Sequence, residues 1–184
     1  RTNEEHERDF WQQVVRDVLP DVREPNACFA ELFEYFARPE SWRCFDDVGR
    51  TLSSLEQRGY CVLSASNFDA RLDRVCDGLP ELRDVRCRVI SSLVGYRKTH
   101  PGFYAAVAQA AGCEASEVLM VGDDLVNDVE SARAAGITAV HLRRESVPRP
   151  SGSGLLRRTR PLPDGRGTDW TELSSLTDLL EWLP

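Results

Sequence analysis

Three acidic residues, Asp123, Asp124 and Asp128, stand directly behind the apolar run 118–121 and the Gly122 that closes it. Carboxylates crowded at one place repel each other unless a cation or a proton is shared among them. Oxygen ligands with no Cys or His beside them favour Mg²⁺ over Zn²⁺. Asp is also a favoured N-cap and first-turn residue, so Asp123 and Asp124 equally read as caps of the helix that follows. Two further groups invite attention. Ser66-Asn67 closes another apolar stretch and reads either as a helix N-cap or as a hydrogen-bonding pair for a ligand. Lys98 is the only lysine among 23 basic residues. Lysine carries a compact ammonium where arginine presents a planar fork, and the two do not substitute for one another.

The elements that must position these groups alternate. Helical spacing of Phe10, Trp11, Val14, Val15, Val18 and Leu19 predicts an amphipathic helix within residues 1–20. A second, over 26–37, presents Phe29, Leu32, Phe33 and Phe36 as a packing stripe and is closed by Pro39. From residue 46 the pattern becomes helix 46–58, strand 60–65, helix 68–77, strand 87–91 and a helix from Pro101 to Gly112. Strand 118–121, a small-residue helix and strand 138–142 follow. Strands separated by helices of this length imply right-handed βαβ units and a parallel sheet flanked by helices, a Rossmann-like α/β fold. Each of the strands at 60, 87 and 118 delivers polar residues to the same edge, and ligands bind outside the carboxyl ends of the strands in such sheets. A hydroxyl, an ammonium and an acidic group at one edge suit a phosphoryl group held with Mg²⁺.

Residues 143–167 are rich in Pro, Gly, Ser and Arg without hydrophobic period, and read as a loop whose arginines are either solvated or an anion-binding flap. Residues 170–183 read as a final amphipathic helix docking on the sheet edge. The net charge of −7 argues against general nucleic-acid affinity. No apolar run approaches the ~18 residues of a membrane span, and no signal-peptide pattern opens the chain, so a cytoplasmic protein is expected. The six cysteines form no CxxC pair and are expected reduced and mostly buried. The three histidines are scattered.

On three ordered motifs the chain resembles the haloacid dehalogenase-like superfamily of phosphatases and related hydrolases. SASNFD at 64–69 is similar to the second motif of that family, GYRKTHPGFYAAV at 95–107 to the third and VGDDLVND at 121–128 to the fourth. The resemblance implies that Ser66, with Asn67, hydrogen-bonds the transferring phosphoryl and that Lys98 neutralises phosphate and nucleophile together. It further implies that Asp123 ligates Mg²⁺ directly, with Asp128 supporting it in the second shell or through water. Residues 1–42 resemble part of the helical cap such enzymes insert after their first strand, and 43–184 the α/β core.

The family's first motif, an apolar strand ending in DxD that supplies the nucleophile and the acid/base, has no counterpart here. No DxD occurs in the 184 residues, and Asp164 has no strand before it. The absent strand would be the central one, between those at residues 60 and 118, and a fragment of a longer gene product is the expectation. Three functions follow from the resemblance: a Mg²⁺-dependent phosphatase of a small phosphorylated metabolite, a 2-haloacid dehalogenase, or a non-catalytic binding module. The acids favour the first, because a dehalogenase gains nothing from carboxylates that must be neutralised.

Overall fold

The structure, a computed structural model, describes residues 1–144 and 171–183. Helix α1 (Glu4–Val18) starts where Asn3 accepts from the His6 N–H at 2.8 Å, and Glu4, Glu5 and Glu7 in its first turn complement the helix dipole. Helix α2 (Pro25–Tyr35) has proline in its first turn, where the missing N–H is not needed. The two helices do not close on each other as a full core. Phe29 is buried, but Phe10, Val18, Leu19 and Phe36 remain exposed. Between them, with Trp42 and Phe68, runs an open apolar groove of about 290 Å³.

Helix α3 (Val48–Gln57), strand β1 (Leu63–Ser66) and helix α4 (Arg71–Gly78) come next. Strand β2 (Cys87–Ile90), a single turn α5 (Ser91–Val94) and helix α6 (Pro101–Ala111) complete the first half. Strand β1 begins three residues later than the apolar pattern suggested, so Ser66 ends the strand and does not cap the helix after it. Strand β3 (Leu119–Gly122) leads into a π-helical turn over Leu125–Glu130 and one α-turn, α7 (Ser131–Ala134). The helix expected there is therefore short and irregular.

Strand β4 (Thr138–Leu142) follows. The segment read as one helix over 170–183 divides. Glu172–Leu173 form a short strand, β5, parallel to β4 with His141 opposite Glu172, and the helix begins only at Leu176, as a 3-10 turn (Leu176–Asp178) running into α8 (Leu179–Trp182). The division is local chemistry. Asp178 accepts from the N–H groups of both Ser174 and Ser175 at 3.0 Å, which fixes a fresh helix start after the strand.

All strand pairings among the described residues are parallel, as expected of βαβ units. They form two groups, β1-β2 and β3-β4-β5. Among the described residues, β1 and β3 each pair on one side only, and it is between these two strands that the sequence resemblance lacks its central strand. The main core lies around α6: Phe103, Tyr104 and Val107 pack with Val89, Met120, Val129 and Ile137. Each fully buried side chain of this size contributes about 1.5–3 kcal/mol.

A buried ion pair ties the second half to the first. Arg144 donates to both carboxylate oxygens of Asp47 at 2.9 Å, and Asp47 also accepts from Ser175 Oγ at 2.7 Å and from the Leu176 N–H at 2.8 Å. Arg143 lies 3.4 Å from Glu172. The rest of the predicted arginine-rich loop, and Asp164, fall outside the described residues. All six cysteines are unpaired, but the expectation of burial holds only for Cys76: Cys61 is exposed and the others are half-buried. Among the described residues no helix is long and apolar enough to cross a membrane.

Candidate active site

The turns after β1 and β3 bring Asn67, Lys98 and Asp128 together, while Ser66 and Asp123 stand at the ends of those strands without a side-chain hydrogen bond to Lys98. Lys98 Nζ lies 2.6 Å from Asp128 Oδ1, and the two side chains are only 13% and 7% exposed. Asn67 accepts from the backbone N–H of Lys98 at 2.6 Å. The loop after β1 thereby holds the lysine's main chain, while the turn after β3 holds its ammonium. Ser66 is half-buried at the end of β1, opposite Ile90 in register.

The acids divide their work. Asp124 is the N-cap of the π-helical turn: Oδ1 accepts from the N–H groups of Val126 at 3.0 Å and Asn127 at 2.9 Å, and Oδ2 from the Asn127 amide at 2.9 Å. Burial pushes its carboxyl upward, but those hydrogen bonds and the Lys98 charge outweigh it and hold the group below the ordinary carboxylate range. Asp128 Oδ2 accepts from the Asp124 N–H at 3.1 Å, so both oxygens of Asp128 have partners. Asp123 is solvent-exposed at the strand end. Of the two sequence readings of these acids, capping is what Asp124 does. Asp123 remains open to solvent and to a ligand.

Among the described residues no three His, Cys, Asp or Glu side chains converge as a metal site. Mg²⁺ is commonly held through one or two carboxylates together with water and substrate phosphate, so the donors present fit it in part. Asp123 would be the direct ligand. Asp128, already committed to Lys98 and to a backbone N–H, would act behind it.

Three positions carry more than the sequence suggested. Gly122 has no room for a side chain: a Cβ there would meet the Asp128 carboxylate and its Cβ well inside contact distance. The close of an apolar strand by glycine was visible, but its reason lies six residues on. Tyr104 accepts from the Thr99 N–H at 3.2 Å and donates to the Asn127 carbonyl, joining the lysine loop to the acidic turn. Its signal was a hydroxyl-bearing ring within the apolar helix 101–111. Burial, more than the nearby acids, pushes its hydroxyl above the usual tyrosine value, which keeps it neutral. His141, one of the scattered histidines, is the next-to-last residue of β4, with Nε2 at 3.2 Å from the Asp123 carbonyl and Nδ1 at 3.3 Å from Glu172.

Residues 3–136 match the family model described as haloacid dehalogenase-like hydrolase. The zebrafish (Danio rerio) haloacid dehalogenase-like hydrolase domain-containing protein 3 is 30% identical over 141 residues, covering 74% of this chain; the chain spans only 58% of that relative's length. Among solved structures, a HAD phosphatase from Thermococcus onnurineus superposes with a TM-score of 0.67 at 20% identity, covering 95% of this chain and 78% of that one. An L-2-haloacid dehalogenase superposes with a TM-score of 0.72 at 18% identity, covering 100% and 72%. The same fold thus carries both chemistries.

Proposed function

The chain belongs to the haloacid dehalogenase-like hydrolases, and from that premise we propose that it serves a Mg²⁺-dependent phosphatase of small phosphorylated metabolites. The observation that carries the reading is Lys98, held between Asn67 and Asp128 at the ends of β1 and β3. A buried ammonium so fixed is preorganised to meet the negative charge of a phosphoryl group without reorganising during transfer. Ser66 offers a hydroxyl to a phosphoryl oxygen, and Asn67 fixes the main chain that carries the lysine. Mg²⁺, bound at Asp123, would neutralise charge on the transferring group. What favours this reading over a dehalogenase is Asp123, a carboxylate left open to solvent at the end of β3 where Mg²⁺ can be held with water and substrate phosphate.

None of these residues attacks. Asp128 is engaged by Lys98 and a backbone N–H, Asp124 by the turn it caps, and a carboxylate committed to a metal is a poor nucleophile. Phosphoryl transfer through an aspartyl-phosphate needs a nucleophile in line with the leaving oxygen. We assign that nucleophile to polypeptide outside the 184 residues, on a strand that we place between β1 and β3, each of which pairs on one side only among the described residues.

The reading is tested with p-nitrophenyl phosphate. The 184-residue chain is expected to be inactive, and a longer polypeptide that adds an apolar strand ending in DxD is expected to turn over only with Mg²⁺. Turnover by the 184-residue chain that disappears in Asp123→Asn would overturn the assignment of roles. Calorimetry with Mg²⁺ gives a second check: modest binding that is lost in Asp123→Asn is expected, and unchanged binding in that variant removes Asp123 from the site.

A further inference from the structure

Glu7 is the only fully buried residue of α1, although it sits among the apolar positions of an amphipathic helix. A buried carboxylate is costly unless it is paired, and an apolar residue of similar volume would fill the space at less cost. Its partners explain the choice. Thr2 Oγ1 donates to Oε1 at 2.8 Å, and Arg97 Nη1 donates to Oε1 at 3.2 Å and to Oε2 at 3.0 Å. The Arg97 guanidinium lies 4.7 Å above the Phe10 ring of the same helix. Arg97 immediately precedes Lys98.

The start of α1 reaches both loops of the site. Glu4 accepts from the Ala70 N–H at 3.1 Å, three residues beyond Asn67, and the Thr2 N–H donates to the Gly95 carbonyl at 3.0 Å. Along the lysine loop three successive residues are tied: Arg97 by Glu7, the Lys98 N–H by Asn67, and the Thr99 N–H by Tyr104. Thr99 has φ of +83°, the only non-glycine residue with positive φ among those described. Such a conformation persists only where its surroundings hold it.

We propose that Glu7 is a positioning residue for Lys98, acting through Arg97, so that helix α1 sets where the ammonium points. Its effect on turnover rests on the phosphatase reading; its effect on the lysine does not.

Lys98 is the only lysine, so protein grown on ¹³C-lysine gives one Hε–Cε cross-peak that reports this side chain alone. Glu7→Gln keeps the size of the side chain and removes its charge. The cross-peak is expected to move beyond its linewidth, toward its position in Asp128→Asn, while amide signals of α8 stay in place. An unmoved cross-peak in the folded variant overturns the proposal. Should Glu7→Gln fail to fold, Arg97→Gln, at a side chain 35% exposed, makes the same test from the other partner. In a longer polypeptide active on p-nitrophenyl phosphate, Glu7→Gln is expected to lower kcat about tenfold at unchanged KM, as for a catalytic group slightly misplaced. Unchanged kcat overturns the catalytic consequence. If that polypeptide is inactive in wild-type form, the phosphatase reading fails and the lysine spectrum still decides the clamp.

Discussion

Gly122→Ala is a small change with a large expected cost. Its φ is not positive, so the backbone accepts alanine, and the lower entropy of the unfolded chain would by itself stabilise by about 0.4–1 kcal/mol. The new methyl, however, overlaps the Asp128 carboxylate and its Cβ. Asp128 must leave, which breaks the 2.6 Å contact to Lys98 and the 3.1 Å bond from the Asp124 N–H. Removing one partner from a buried ion pair costs about 3–5 kcal/mol. After the backbone gain a net loss of about 3 kcal/mol remains, which lowers Tm by roughly 6–12 °C in a domain of this size. Urea unfolding of Gly122→Ala, Asp128→Gly and the double variant gives the coupling directly. Once Asp128→Gly has removed the atoms in the way, Gly122→Ala should show only the backbone gain of about 0.4–1 kcal/mol, for a coupling energy of about 3–5 kcal/mol. A stable Gly122→Ala, or a cycle in which the two losses simply add, would refute the reasoning.

Asp47 supplies a pH dependence. Burial pushes its carboxyl up, but Arg144, Ser175 and the Leu176 N–H together hold it well below the usual carboxylate range. Its folded pKa is depressed, so the stability it contributes is present above the unfolded value of about 3.9 and is lost as pH falls through the folded value. Asp47→Asn should flatten the acid limb of a stability-versus-pH curve, and an unchanged limb would count against the pair. Asp124→Ala removes a cap and should cost about 1 kcal/mol in urea unfolding; no loss would mean the turn does not depend on it. Lys98→Arg, in a polypeptide active on phosphate esters, should lower kcat on the order of a hundredfold, and near-normal kcat would return Lys98 to an ordinary role.

The motifs were legible because each is local. An apolar run, a glycine and a cluster of acids announce a strand end within a few residues, and Ser66-Asn67 does so in the same way, whereas Lys98, eight residues beyond β2, stood out as the one lysine. What escaped was chemistry set by distant partners. Glu7 looked like one more charge on a helix because Arg97 lies 90 residues away. His141 looked isolated until β4 placed it beside Asp123. The end of the chain misled for another reason. Trp170, Leu173, Leu176, Leu179 and Leu183 suit a helical period, yet Leu173 is buried in a strand and the serines after it restart the helix.

Among the described residues strands β1 and β3 each pair on one side only, and this has a consequence for the chain outside any assembly. An unpaired strand edge presents rows of N–H and C=O groups that another chain can bind, and natural proteins protect such edges with charge, proline or a covering element. Strand β1, LSAS, and strand β3, LMVG, carry no charge and no proline. Their shortness, four residues each, is the protection they have; left uncovered, each is a short template for the wrong neighbour.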